Sequence, residues 1–340
     1  MTGACLALVA PVSAAGRAVV VIEPAGGGYA AVAARVLGSP AHQVVRPNAG
    51  ELRAALGEVE RAAASAASPP MAGPIARVAR VLEAGGFDVA RAAQADTIVV
   101  VSAAPVPIDL VEAGGTPLGL KVAISHVVAP SAATLRARLE NALRARRVPL
   151  SRMAVLGVTT MPAGVRRADH DVVKAALGVA DSVAVDLLVE PRAADTLRYF
   201  GRTDVQILHL DTHGDPRRVQ LDARQATLSG VEAFPHVIGP SLVLLVGCAT
   251  GADAESLGPA LVGRGAAAAV GMAFTFRSGD PSGGDITNPV FYDAFWREIV
   301  AGAPVGRALL RAKQVLPPTA WSAIWLLFGA ADLSFEVRAR

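Results

Sequence analysis

Short apolar runs, unbroken by charge, recur along the chain and alternate with alanine-rich stretches whose apolar positions fall at helical spacing. A run of four to eight apolar residues closed by a turn reads as a strand buried on both faces of a parallel sheet. On that basis strands are predicted at 18–22, 43–45, 96–101, 122–127, 153–158, 183–189, 205–210, 242–246 and 267–273, with a last one inside 321–329. Helices are predicted at 29–37, 51–66, 75–84, 132–147, 171–177, 192–199, 256–264, 288–301 and 305–313. Ser131 stands where an N-cap belongs, and Phe291, Phe295 and Ile299, four residues apart, mark the apolar face of a helix that docks on the sheet.

Strands and helices that alternate across short loops predict a mostly parallel α/β sheet flanked by helices on both faces. The stretch Ser68-Pro-Pro-Met-Ala-Gly-Pro74 breaks any helix and is the best internal boundary. It separates an amino-terminal α/β segment (1–70) from the remainder (75–340), in which the alternation becomes regular from 151 onward. The glycine-rich turn after residue 22 lacks both the Gly-Lys-Ser/Thr ending of a phosphate loop and the spacing of a dinucleotide fingerprint, so it reads as a plain turn.

Composition narrows the functional classes. The 340 residues carry a net charge of only +3 and 4% aromatics, with no basic stripe interleaved with aromatic residues, which argues against nucleic acid. The two cysteines, Cys5 and Cys248, provide no disulfide framework and no metal-ligand cluster, so no metal or cofactor is expected and a reducing, cytoplasmic setting fits. No Lys or Arg precedes Arg17, so the apolar amino terminus lacks the positive region of a signal peptide. No apolar run reaches the length that spans a bilayer.

Two of the apolar runs end in reactive side chains. Val-Gln-Ile-Leu-His-Leu-Asp-Thr leads into His213-Gly214, and Leu-Val-Leu-Leu-Val-Gly leads into Cys248-Ala-Thr-Gly251. In an open α/β sheet the carboxyl ends of the strands are where ligands bind, and the 35-residue separation of His213 and Cys248 leaves room for one crossover between neighbouring strands. A histidine beside a cysteine suits thiol catalysis, the imidazole taking the thiol proton and the thiolate attacking a carbonyl carbon. The amides of Gly214 and Cys248 are candidates for an oxyanion hole. Asp211 has two readings, a carboxylate that orients His213 or a solvated strand-end group. His209 is assigned to packing or backbone hydrogen bonding and His236 to a loop.

These motifs resemble those of the caspase-like cysteine peptidases, and within them the CHAT family, in the form His-x-x-x-His213-Gly followed by a strand ending in Cys248-x-Thr-Gly. The Pro-rich turn and strand order between 96 and 135, and the closing Trp321-Ser-Ala-Ile-Trp-Leu-Leu-Phe-Gly329, are similar to that family as well. The resemblance covers about residues 75–340. It implies a caspase-like three-layer sandwich, with His213 as the base and Cys248 as the nucleophile of an endopeptidase. It implies a protein substrate, a gasdermin-like pore-former among the candidates, and activation by a separate partner or by self-association in bacterial defence or cell death. Residues 1–70 either complete the sheet or form an inactive caspase-like part.

The family's specificity region follows the nucleophile, here the segment with Phe274, Arg277, Asp280 and Asp285. Its usual Leu-Trp-Pro is replaced by Ala273-Phe274, so the residue preferred before the scissile bond stays open between basic and acidic. Two other readings are carried: an inactive scaffold of the same fold, and acyl transfer by the same Cys-His pair.

Overall fold

The computed structural model describes residues 16–23, 28–39, 41–64, 71–158, 183–225, 227–274 and 289–337. Its strands are, in chain order, β1 (Arg17–Ile22), β2 (Gln43–Val45), β3 (Thr97–Ser102), β4 (Glu112–Ala113), β5 (Thr116–Pro117), β6 (Ala123–Val128), β7 (Arg146–Leu150), β8 (Arg152–Gly157), β9 (Ala184–Val189), β10 (Ile207–Asp211), β11 (Arg218–Gln220), β12 (Leu228–Gly230), β13 (Leu242–Val246), β14 (Ala268–Met272), β15 (Trp325–Gly329) and β16 (Leu333–Val337). Ten of them form one sheet in the order β2-β1-β3-β6-β15-β14-β13-β10-β8-β9. Every pair in it is parallel except β14 with β15. Because β6 runs parallel to β15, the four amino-terminal strands run opposite to β14 and its parallel neighbours.

β13 and β15, in the middle of the sheet, are apolar and buried at every position, which is what a sheet covered on both faces requires. The pleat sorts the residues of β3 onto two faces. Ile98 and Val100 face a core built with Ala55 and Val59 of the helix Ala49–Ala64, while Val99 and Val101 face one built with Leu135 and Leu139 of the helix Ala132–Leu143. The helix Pro289–Val300 docks through Phe291, Phe295 and Ile299 as the spacing predicts, and Tyr292 and Trp296 are fully buried beside them. Burying side chains of this size contributes roughly 1.5–3 kcal/mol each. The ring of Phe291 stacks on Trp325 at 4.9 Å, which ties this helix to β15.

The largest departures from the predicted elements have their reasons in long-range pairing and in turn structure. The helix capped by Ser131 ends at Leu143, because Arg146–Leu150 pairs in parallel with Leu333–Val337, a partner more than 180 residues away. The last strand of the large sheet begins at Trp325, residues 320–323 forming a single 3₁₀ turn. The hairpin of β11 and β12 is too short for its own apolar pattern to announce it. The predicted helix 171–177 lies outside the described residues, as does the turn at 24–27.

A buried charge cluster joins the two sides of the sheet. Asp109 accepts hydrogen bonds from Lys313 Nζ at 3.1 Å and pairs with His126 Nε2 at 2.8 Å, and all three side chains are almost wholly buried. Burial opposes the charge on Asp109, yet the attraction of Lys313 and the bond from His126 outweigh it and hold the carboxyl below its usual range.

Candidate active site

β10 and β13 are parallel neighbours, with Asp211 paired to Val246. The pairing continues one residue further, where Thr212 N–H donates to Val246 O at 2.9 Å. Counting two residues past the Asp211–Val246 pair reaches His213 on one strand and Cys248 on the other, so the register brings both to one level at one sheet edge. A Cβ on Gly214 would come within 3.5 Å of Cys248 O, which places the two motifs in direct backbone contact. His213 is exposed and Cys248 half-buried.

The His213 loop is held by the β11–β12 hairpin. Gln220 N–H donates to His213 O and Asp215 N–H donates to Arg218 O, both at 2.9 Å, on either side of the Gly214–Val219 bridge. In such a bridge the amide of the middle residue points away from the partner strand. Gly214 N–H is thereby turned off the hairpin, as an oxyanion donor requires. Any other residue would also crowd: a Cβ on Gly214 would sit 3.1 Å from Arg218 O and from Val219. Thr212 Oγ1 anchors the strand end by donating to Gln220 O at 2.6 Å. Arg217 links this loop to the one after Cys248 through Asp253 and Glu255, and Leu257 N–H donates to Pro216 O.

The Cys248 turn is pinned to β14. Thr250, fully buried, donates its hydroxyl to Gly247 O at 3.1 Å and accepts from Met272 N–H at 3.2 Å. Ala249 adopts φ +54°, a left-handed conformation costly for a residue with a Cβ. Its N–H donates to Phe274 O, and Gly251 N–H to Met272 O. A Cβ on Gly251 or Gly258 would press within 3 Å of the Phe328 ring, so the last apolar strand and the Cys-Ala-Thr-Gly turn fit only with glycine there.

Asp211 is 5% exposed, which removes the reading of a solvated carboxylate and leaves a buried one two residues from His213. His209 packs its ring against Tyr292 at 5.4 Å and Trp296 at 6.0 Å, and burial pushes its imidazole down to about 4. It is a packing residue, with neither ring nitrogen hydrogen-bonded among the described residues. His236 is exposed in a loop. Phe274 is buried beside the Cys248 turn, whereas Arg277, Asp280 and Asp285 lie outside the described residues. Cys5 does too. Thr250 and Arg217 escaped the sequence reading. The threonine was visible as part of the motif, but its double hydrogen bond depends on β14, and the arginine's reach depends on the fold. Among the described residues no three His, Cys, Asp or Glu side chains converge as metal ligands.

No protein-family model matches the chain, and no curated protein matches it. Among solved structures it is similar to the Arg-specific cysteine proteinase gingipain R, at a TM-score of 0.57 and 10% identity over 95% of this chain and 79% of that one. The complex of Porphyromonas gingivalis RgpB pro- and mature domains aligns at 0.48 and 10% identity, over 94% and 80% of the two chains. The Saccharomyces cerevisiae separase–securin complex aligns at 0.45 and 12%, over 76% of this chain and 17% of that one. The architecture is thus the caspase-like one, a large, mostly parallel sheet between helices, and at 10% identity the likeness to gingipain R is one of fold. Among the described residues no helix is long and apolar enough to cross a membrane.

Proposed function

We propose that the chain is a caspase-like cysteine endopeptidase of the CHAT type that cleaves a protein substrate through His213 and Cys248. The observation that carries this reading is the β10–β13 register, which levels the two residues at one sheet edge. The Cys248 thiolate attacks the scissile carbonyl carbon after its proton passes to His213. The oxyanion takes hydrogen bonds from the amides of Gly214 and Cys248. His213 then gives its proton to the departing amine, which leaves a thioester on Cys248. Water, deprotonated by His213, hydrolyses the thioester and frees the thiol. Asp211, buried on the same strand, orients the imidazole. Phe274 lines the substrate pocket together with Arg277, Asp280 and Asp285.

Residues 151–340 form the catalytic half, and residues 1–70 complete the fold. The enzyme works in the cytoplasm, where a separate partner or self-association switches it on, in bacterial defence or cell death, against a protein such as a gasdermin-like pore-former. The test is a cleavage profile over a peptide library, run alone and with extract of the source cells, with Cys248→Ala as control. Cleavage lost in Cys248→Ala supports the reading. Equal cleavage by the variant, or none by either protein under both conditions, sinks it and favours a scaffold.

A further inference from the structure

A cavity of about 390 Å³ opens between the helix Ala49–Ala64 and the segment that leaves β3, with one wall from residues that follow Cys248. Leu52, Leu56, Pro105 and Val106 give it apolar walls, and Ala252 and Asp253, from the segment after Cys248, close it on the side of the nucleophile. Leu56, Glu60, Pro105 and Ala252 also line a second, smaller cavity whose other walls include Gly251, Ala273 and Phe274. Ala252, and Phe274 whose carbonyl accepts from Ala249 N–H, tie the two cavities to the segment that follows Cys248.

One polar group marks what the cavity takes. Ser102, at the end of β3, is 1% exposed and lines the cavity, and its hydroxyl has no hydrogen-bond partner among the described residues. By the pleat it shares the face of Ile98 and Val100, the face on which the helix Ala49–Ala64 packs. A buried hydroxyl left without a partner costs free energy that a ligand bringing one recovers. A largely apolar slot with a buried hydroxyl suits an aromatic side chain with a polar tip. At the rim, Arg53 and Glu60 are exposed and form no ion pair among the described residues, which leaves them for the backbone and neighbours of a bound peptide.

We propose that this cavity is a subsite for a tyrosine or tryptophan side chain of the polypeptide being cleaved, set apart from the pocket for the residue at the scissile bond. The inference rests on the peptidase reading above and adds a second point of recognition to it. Such a subsite makes a short peptide a poor ligand and a longer one with a correctly spaced aromatic residue a good one.

The test uses the Cys248→Ala chain, which binds without cutting, and fluorescein-labelled decapeptides in which Ala, Phe, Tyr, Trp or Asp scans every position. Anisotropy should find one position at which Tyr or Trp tightens Kd at least tenfold over Ala. Added in the same chain, Ala104→Trp, a substitution at an exposed lining residue, should abolish that preference by plugging the cavity, and Ser102→Ala should make Tyr and Phe equivalent there. Circular dichroism and an unchanged rate of Cys248 alkylation in Ala104→Trp alone show that the fold and the thiol survive. If that variant does not fold, half-buried Leu56→Gln takes its place. An aromatic preference that is absent, or that survives the plug, overturns the subsite. Cleavage that does not depend on Cys248, alongside an intact aromatic preference, overturns the peptidase reading alone.

Discussion

Gly214 and Thr250 help hold the backbone around His213 and Cys248, and each yields a direct expectation. Gly214→Ala brings a Cβ to 3.1 Å from Arg218 O and displaces the amide assigned to the oxyanion, so kcat should fall on the order of 10²-fold with KM little changed. Steady-state kinetics on one peptide substrate decide it; a change confined to KM contradicts the assignment. Thr250→Val leaves Gly247 O and Met272 N–H without their hydroxyl partner and should cost about 2 kcal/mol or more in urea unfolding. His209 sets a pH dependence. Burial holds its imidazole near 4, against 6.5 in the unfolded chain, so between those values the unfolded state binds the extra proton. Stability is complete above pH 6.5 and declines by up to about 3 kcal/mol as pH falls toward 4. His209→Phe should flatten that decline; an unchanged slope would place its origin elsewhere.

The elements explain why so much was legible before any coordinates. The run 242–246 is unbroken Leu and Val, the pattern of a strand covered on both faces, and the helix 29–37 and the strand 43–45 match their predicted bounds. The shared edge of His213 and Cys248 was legible because both follow such runs directly, each ahead of a glycine-containing turn. Illegible were the elements whose stability comes from distant partners. β7 exists because β16 lies alongside it, and Arg146–Leu150 contains a proline and alternates with exposed residues, which gives no buried-strand signal. The antiparallel entry of β15 likewise comes from tertiary placement, although the apolar run Trp325–Gly329 itself is plain. At this scale Gly258→Ala tests the fit of the helix Leu257–Gly263 against Phe328. A Cβ there would meet the ring at 2.7 Å, and the overpacking should cost roughly 1–3 kcal/mol, which Phe328→Leu in the same chain should partly relieve.

At the scale of the whole molecule, two sets of strands running in opposite senses share one sheet across β6 and β15, and the Asp109, His126 and Lys313 cluster pins them together. Lys313→Met strands a buried carboxylate and should cost about 3–5 kcal/mol, read as a lower urea midpoint. Asp109→Asn with Lys313→Met should cost less than the sum of the two single changes, because the double change leaves neither charge buried alone. The central claim, that His213 activates Cys248 to attack a peptide carbonyl, is met most directly by mass spectrometry of the chain treated with a peptidyl acyloxymethyl ketone. The account predicts an adduct on Cys248, formed at least 100-fold more slowly in His213→Ala. An adduct at Cys5 or elsewhere, or labelling of Cys248 at the same rate without His213, would contradict it.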